Sequence, residues 1–483
     1  MIHTKIIATL GPATESPEML GRLIDAGVNV FRLNFSHGTL EQHARTYERI
    51  QAVRRERHCH VAVMGDLCGP KIRVDPIVND SFTLAAGDRI EVVAEHIKGT
   101  SQRISTNRPE LVGEAKAGHR LLIDDGNVRL RVETASPGLL TCVCEVAGVV
   151  SSRKGVNVPD TDLVMSALTD KDRLDLAWAM ENRLDYIAMS FVRTAADLRE
   201  LRDLMPLAHC DSRVVAKVET PQAARHLEEI VESADAVLVA RGDMGVEMDL
   251  AQVPIIQKRI TRMCRRAGKP AIIATQMLQS MINSPTATRA EVSDVANAIL
   301  DAADAVMLSA ETSVGQFPTE SVAMMARIAA QTESFAEESG EVGQVEVTES
   351  LRPVATAVAH GAALLARELH AKAVAVWTAT GNTARLLSKS RLGVPVVGLS
   401  PEEAVCRRMC MFYGVMPIQL ARQEQITAML RDVDEAMLSR GIVERGDLIV
   451  VVAGTPLKAV GSTNALLIHL VGGTTDAMPW ITD

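Results

Sequence analysis

The stretch RVVAKVETPQAARHLEEIVESADAVLVARGDMGVE, residues 213–247, decides the fold. It opens on a β-branched run (213–219), crosses a helical segment, and returns in a second apolar run (236–243) that ends in polar residues. Two short strands joined by a helical crossover form a parallel βαβ unit. Outward from it, the same kind of run recurs at KIIATL (5–10), NVFRLN (29–34), HVAVMGD (60–66), YIAMSF (186–191), AIIATQM (271–277) and AVMLSAE (305–311). Eight parallel strands with helical crossovers predict an α/β fold, a (β/α)₈ TIM barrel. The gap after the third strand is too long for one helix. Within it DRIEVVAE (88–95), NVRLRVE (127–133) and LLTCVCEVAG (139–148) alternate with Gly, Asp and Pro turns, which predicts a small all-β domain inserted at 70–164. The remainder, 1–69 and 165–345, amounts to about 250 residues, the usual size of one barrel. An acidic, Gly-containing stretch from Glu333 to Ser350 breaks the pattern. Beyond it AVAVW (373–377), VPVVGLS (394–400) and DLIVVVAG (447–454) predict a separate doubly wound α/β domain over 346–483.

The 483 residues are 47% apolar, enough for several cores, and carry a net charge of −9 with 3% aromatic residues. That balance argues against nucleic acid, which wants a basic face and stacking rings. The apolar run before Gly11 and Pro12 is too short for a secretory signal, and no stretch approaches the ~18 apolar residues of a membrane span. The expected location is the cytoplasm, without membrane association. The eight cysteines are scattered, and the close pairs Cys142/Cys144 and Cys406/Cys410 lack the partners of a zinc site. An anionic substrate must therefore be met by local positive clusters.

Barrel enzymes carry their chemistry at the C-terminal ends of the strands. The second strand closes with RLNFSHG (32–38), where Arg32, Asn34 and Ser36 alternate and share one face of an extended chain. The third ends at Asp66 and leads through GPKIR (69–73) to Lys71 and Arg73. The fifth presents Lys217 and Glu219 on one side, and the sixth ends at Asp243 within ARGDMGVE (240–247). Two carboxylates from neighbouring strands suit Mg²⁺ or Mn²⁺, with substrate and water completing the shell, unless one merely pairs with Arg241 or Lys217. Gly242 lets a ligand approach the backbone, and amides there suit a carboxylate if a helix begins. Thr275 adds a hydroxyl at the same level, unless it only caps the strand. Together these residues fit a phosphorylated keto- or enol-acid. On the residues alone, a barrel lyase or aldolase and a metabolite sensor with a dead barrel remain open.

The motifs TKIIATLGPAT (4–14), RLNFSHG, KGVNVP (154–159), KVET (217–220), VARGDMGVE (239–247), ATQMLQSM (274–281) and PTATRAEVSDVANA (285–298) occur in order. At these residues the chain resembles the pyruvate kinase family over nearly its whole length. The resemblance implies a glycolytic phosphotransferase that moves the phosphoryl group of phosphoenolpyruvate to ADP. It assigns Arg32, Lys217 and Thr275 to catalysis, with Gly242 and Asp243 joining them in binding substrate. Glu219 and Asp243 would hold the divalent metal, and Arg73, Lys154, Asn34 and His37 would meet the nucleotide. The inserted domain would act as a lid. Three departures stand out: Gly65 where a bulky apolar residue is usual, Thr220 for an asparagine, and Ala310 for a glycine.

Two further expectations come from the same resemblance. Potassium-dependent members carry glutamate at the position of Lys71 and threonines at those of Leu67 and Val74, with the ion near Asn34, Ser36 and Asp66. Here all three positions differ together, which resembles the potassium-independent subgroup, although Cys68 is unusual there; a tethered ammonium replaces the ion, so K⁺ is not required. The segment TATGNTARLL (378–387) matches the allosteric effector loop, with Thr378, Thr380, Gly381, Asn382 and Thr383 as contacts and Gly461 to Asn464 beside it. The implied effector is a sugar monophosphate or nucleoside monophosphate, and the implied assembly a homotetramer.

Overall fold

Residues Arg213–Val218 show how the barrel is built. Val214, Ala216 and Val218 join the core under the surrounding helices, whereas Val215 belongs to the core inside the barrel. Alternate residues of a strand point to opposite faces, so Lys217 rides on the interior side, at the mouth. The computed structural model describes residues 2–163, 166–205, 211–339, 353–455 and 463–473. Eight parallel strands close the barrel: β1 (Lys5–Thr9), β2 (Val28–Asn34), β3 (Ala62–Leu67), β4 (Tyr186–Met189), β5 (Arg213–Val218), β6 (Ala236–Ala240), β7 (Ala271–Ala274) and β8 (Ala305–Leu308). Closure sets Lys5 of β1 opposite Ala305 of β8.

Several strands end sooner than their apolar runs. The run YIAMSF stops at Met189, because Phe191 has a φ of +55°, which an extended strand does not accommodate. The run AIIATQM stops at Ala274, since Thr275 and Gln276 take φ values of +69° and +55°. The run AVLVARGD stops at Ala240, where the helix Arg241–Glu247 begins, and AVMLSAE stops at Leu308. Likewise Ser36 lies beyond β2 in a turn and does not share a strand face with Arg32 and Asn34. Gly65, where a bulky residue is usual, keeps regular register with Leu33 and Ile187. A Cβ there would fall 2.8 Å from the Phe35 ring and 2.9 Å from Leu184, so neighbouring side chains already fill the space.

After β3 the chain leaves the barrel for a seven-stranded and a two-stranded sheet, and it returns before the helix Asp170–Glu181. The three runs read as β appear as strands Arg89–Val93, Val128–Ser136 and Leu139–Val146, over a separate core that includes Val92, Leu130 and Leu140. Beyond the barrel a second sheet contains β9 (Ala373–Trp377), β10 (Val396–Ser400), β11 (Val415–Gln419), β12 (Leu448–Ala453) and β13 (Ala465–Leu470). Its order is β11-β10-β9-β12-β13, with only β13 antiparallel. Val374 and Val376 share a core with Ala362 and Ala363 of the helix Pro353–Glu368, whereas Ala373, Ala375 and Trp377 share one with Met429 and Val433 of the helix Ile426–Leu438. Helices thus cover both faces, which makes the domain doubly wound.

This domain is set against the barrel floor, where the strands begin. Lys389 Nζ meets Asp304 Oδ1 at 2.6 Å with both side chains 5% exposed, Arg407 Nε meets Asp185 Oδ1 at 2.9 Å, and Lys5 Nζ donates to the Val415 carbonyl at 2.7 Å. Removing one member of a buried pair strands the other charge, at a cost of about 3–5 kcal/mol. Lys389→Met should therefore destabilise the protein by roughly that amount. Adding Asp304→Asn, which can still accept from the Ala271 N–H, should recover much of the loss. Denaturant unfolding of the two variants measures the difference, and equal stabilities would contradict the pairing.

Candidate active site

Three strands bring their charges to one point at the barrel mouth. Asp66, at the end of β3 and 1% exposed, accepts on Oδ2 from Arg32 Nε at 2.7 Å and Nη2 at 2.6 Å. Its other oxygen lies 3.3 Å from Lys217 Nζ. Arg32 Nη1 donates to Thr9 Oγ1 at 3.0 Å, so the guanidinium is fixed from β1 as well. Lys217 Nζ also meets Glu219 Oε1 at 3.0 Å and donates to Ser190 Oγ at 2.6 Å, and Ser190 in turn donates to the Leu67 carbonyl at 2.7 Å. The second oxygen of Glu219 accepts from the Phe191 N–H at 2.8 Å. That contact uses the left-handed backbone of Phe191, a conformation costing on the order of 1–3 kcal/mol in a non-glycine residue.

Burial and pairing compete for each of these groups. Burial alone would lower the Lys217 ammonium, but Asp66 and Glu219 together hold it well above the ordinary lysine range. Burial alone would raise Asp66, yet Lys217 and Arg32 keep it below the ordinary carboxylate range. Glu219 goes the other way. Burial lifts it despite the Lys217 contact, and the charge of Asp243 adds to the lift. Two cations thus face three carboxylates, an excess of negative charge that a divalent cation at Glu219 and Asp243 would relieve. Their hard oxygen atoms fit Mg²⁺ or Mn²⁺.

Gly242 and Asp243 occupy the first turn of the helix Arg241–Glu247. The Gly242 N–H donates to Thr275 Oγ1 at 2.7 Å, and Thr275 Oγ1 donates to the Ala274 carbonyl at 2.7 Å. A Cβ on Gly242 would come within 3.3 Å of that hydroxyl, so glycine keeps the ledge open. Arg241 is turned away: it pairs with Asp294 at 2.6 Å and donates to the Thr275 carbonyl at 3.1 Å. Of the two structural alternatives for the acidic pair, only the Lys217–Glu219 contact is made.

The remaining residues stand around this centre. Asn34 Oδ1 accepts from the Ser36 N–H at 3.1 Å, and the His37 carbonyl contacts His43 Nε2 at 2.9 Å. In the inserted domain Arg73 and Lys154 are neighbours, since the Val74 N–H donates to the Lys154 carbonyl at 2.9 Å. Their charges are turned within that domain, Lys154 to Asp124 at 2.8 Å and Arg73 to the Arg153 carbonyl at 3.0 Å. Lys71 lines a cleft between the inserted domain and the barrel, with Asn157, Arg193 and Glu247. Its stem runs beside Gly155, and among the described residues its ammonium contacts neither Asp66, Asn34 nor Ser36. Across the same cleft Asn157 Nδ2 donates to Glu247 Oε1 at 2.6 Å, and burial pushes the Glu247 carboxyl up to about 7.

Far from the mouth, the loop after β9 is closed by its own side chains. Thr378 Oγ1 accepts from the Gly381 N–H at 2.9 Å, Thr380 Oγ1 from the Asn382 N–H at 3.5 Å, and the Thr383 and Thr463 hydroxyls lie 2.6 Å apart. Gly461 and Ser462 lie outside the described residues. Thr9, Ser190 and the Phe191 N–H were not among the residues expected from sequence. Ser190 could have been found by the strand-end rule, because it immediately follows β4.

A family model described as the barrel domain of pyruvate kinase matches residues 1–322, and one for its alpha/beta domain matches residues 356–469. A pyruvate kinase of Agrobacterium vitis is 42% identical over 473 residues, covering 98% of this chain and 97% of that one. One of Methylorubrum extorquens is 40% identical over 469 residues, 97% of each chain. A crystal structure of a pyruvate kinase from Cryptosporidium parvum superposes with a TM-score of 0.90 at 31% identity, covering 97% of this chain and 96% of that one. Two family models that together span residues 1–322 and 356–469, and relatives 40–42% identical over 97–98% of the chain, show that it belongs to the pyruvate kinase family.

Proposed function

We propose that Arg32, Lys217 and Thr275 carry the family's reaction here, the transfer of a phosphoryl group from phosphoenolpyruvate to ADP to give pyruvate and ATP. The observation that carries this reading is the Asp66 carboxylate, which holds Arg32 and Lys217 side by side and charged. Phosphoryl transfer asks for positioning and neutralisation more than covalent work. Arg32 and Lys217 grip the phosphoryl group, and Lys217 also meets the enolate oxygen as charge builds on it. The Gly242–Asp243 turn and Thr275 hold the substrate carboxylate and position the water that protonates the enolate carbon. Mg²⁺ or Mn²⁺ at Glu219 and Asp243 supplies Lewis-acid neutralisation of the substrate oxygens when bound. Arg73, Lys154, Asn34 and His37 serve the nucleotide, with the inserted domain (70–164) closing as a lid over the barrel (1–69 and 165–345).

Because Lys217 meets charge that develops only in the transition state, Lys217→Met should lower kcat by ~10²-fold or more while KM changes little. Steady-state kinetics decide it, and a near-normal kcat removes Lys217 from this role.

The same reading makes the enzyme independent of K⁺. Lys71 supplies the positive charge once the inserted domain closes, and a second cation 4 Å from it would be repelled by ~4 kcal/mol at an effective dielectric of 20. Rates should be similar in sodium, potassium and tetramethylammonium salts, and Lys71→Glu should lower activity. Strong activation of the unmodified enzyme by K⁺ contradicts this.

Regulation is assigned to the C-terminal domain (346–483) of a cytoplasmic homotetramer, with Thr378, Thr380, Gly381, Asn382 and Thr383 receiving a sugar monophosphate or nucleoside monophosphate. An effector so far from the mouth acts by shifting a quaternary equilibrium. Thr383→Glu places a carboxylate where the phosphate would bind and should abolish activation by glucose 6-phosphate and AMP. Activation retained by the variant overturns the assignment.

A further inference from the structure

Between the barrel floor and the C-terminal domain lies a cleft of about 70 Å³, several times the ~10–15 Å³ that one water needs. Arg213, the first residue of β5, and Lys269, two residues before β7, line it from the barrel. Arg385 and Arg408 line it from the other side. The one carboxylate among the described residues of its wall, Asp235, is held by Arg202 at 2.8 Å and lies 3.7 Å from Arg213. Lys269 Nζ donates to the Val231 and Glu232 carbonyls at 2.7 and 2.6 Å and Arg385 donates to the Gly268 carbonyl, bonds that satisfy donors but neutralise no charge, so four cations line the cleft against one carboxylate that is already engaged. Arg408 is 6% exposed, and its Nε has no hydrogen-bond partner among the described residues. Its Nη1 reaches the Asp211 carbonyl at 3.2 Å, and the Asp211 carboxylate, itself well exposed, lies 3.8 Å away.

Such a cluster is unfavourable as it stands. Burial first, then the neighbouring charge of Arg213, pulls the Arg408 guanidinium down, and burial pulls Lys269 down with Arg385 adding to it against Asp235. Like charges gathered away from solvent, one with a buried unpaired donor, are stabilised by a counter-ion. We propose that this cleft binds a phosphoryl-type dianion, which bridges the barrel floor and the C-terminal domain. Guanidinium groups suit a tetrahedral oxyanion. Thr380 and Asn382, on the loop after β9, complete the wall with a hydroxyl and an amide. The cleft shares Thr380 and Asn382 with the effector position assigned above but adds the barrel floor, and Thr383, turned to Thr463, is not part of its wall. The dianion is either free phosphate or the phosphate end of a metabolite whose remainder stays outside.

Calorimetric titration of the full chain at constant ionic strength, with inorganic phosphate and separately with glucose 6-phosphate, tests the proposal. Arg213→Gln and Lys269→Met alter half-buried residues remote from the barrel mouth, and melting in chloride verifies that each folds. The expected result is saturable binding of at least one ligand, weakened about tenfold in either floor variant and retained in Thr383→Glu. Binding of inorganic phosphate identifies the free ion as sufficient. Binding of glucose 6-phosphate alone, with the same sensitivity to the floor variants, identifies a phosphorylated metabolite. No saturable binding of either ligand, or binding unchanged in both floor variants, overturns the proposal. Binding lost in Thr383→Glu while the floor variants retain it would return the anion to the effector loop.

Discussion

The Asp66 carboxylate is the constraint on which the barrel mouth depends. It is buried, it lies between an arginine from β2 and a lysine from β5, and it satisfies both at once. Neither cation could be carried at that depth unpaired, because a stranded buried charge costs several kcal/mol. Pairing does more than offset burial. It keeps Lys217 protonated and aims two positive groups at the same opening, so little reorganisation is needed when an anionic substrate arrives. Glu219 is the counterweight. It shares Lys217 with Asp66 but is lifted by burial and by the charge of Asp243, a penalty that a divalent cation would offset.

The surrounding fold serves to hold these groups still. Phe191 and Thr275 both take left-handed backbone conformations, two residues and one residue after their strands, and each makes a contact at the mouth: an N–H on Glu219 in one case, a hydroxyl under the Gly242 amide in the other. Strain of this kind persists only where neighbouring structure determines it, and here it marks the ledge and the acidic pair. The inserted domain meets the barrel through Asn157 and Glu247, through the Leu163 carbonyl and Arg193, and through Asp162 and Arg225, and the C-terminal domain is fastened below by Lys389, Arg407 and Lys5.

Much of this was legible in the sequence, for identifiable reasons. The barrel could be read because each strand is a short β-branched run followed by polar residues, and the inserted β region because its period changes from helical crossovers to alternation between turns. The paired positions Lys217 and Glu219 followed from the two-residue repeat of a strand. Less was legible where conformation departs from propensity. Nothing in YIAMSF or AIIATQM announces that the chain turns left-handed at Phe191 or Thr275, since tertiary contacts impose it. The strands β11 and β13 went unread because they lie at the sheet edges, one containing Pro417 and the other half-exposed along most of its length. Ser190 and Thr9 stand where the strand-end rule looks, but small hydroxyl residues are common there, and the positions of Lys217 and Arg32 are what give these two a task.

The account rests on a charged barrel mouth that moves a phosphoryl group between two anionic ligands, and the most direct measurement is pyruvate release from phosphoenolpyruvate by the purified chain with Mg²⁺, with and without ADP. The account requires pyruvate to appear only when ADP is present and in step with ATP. Pyruvate formed equally well without ADP, or none formed with it, would contradict the account.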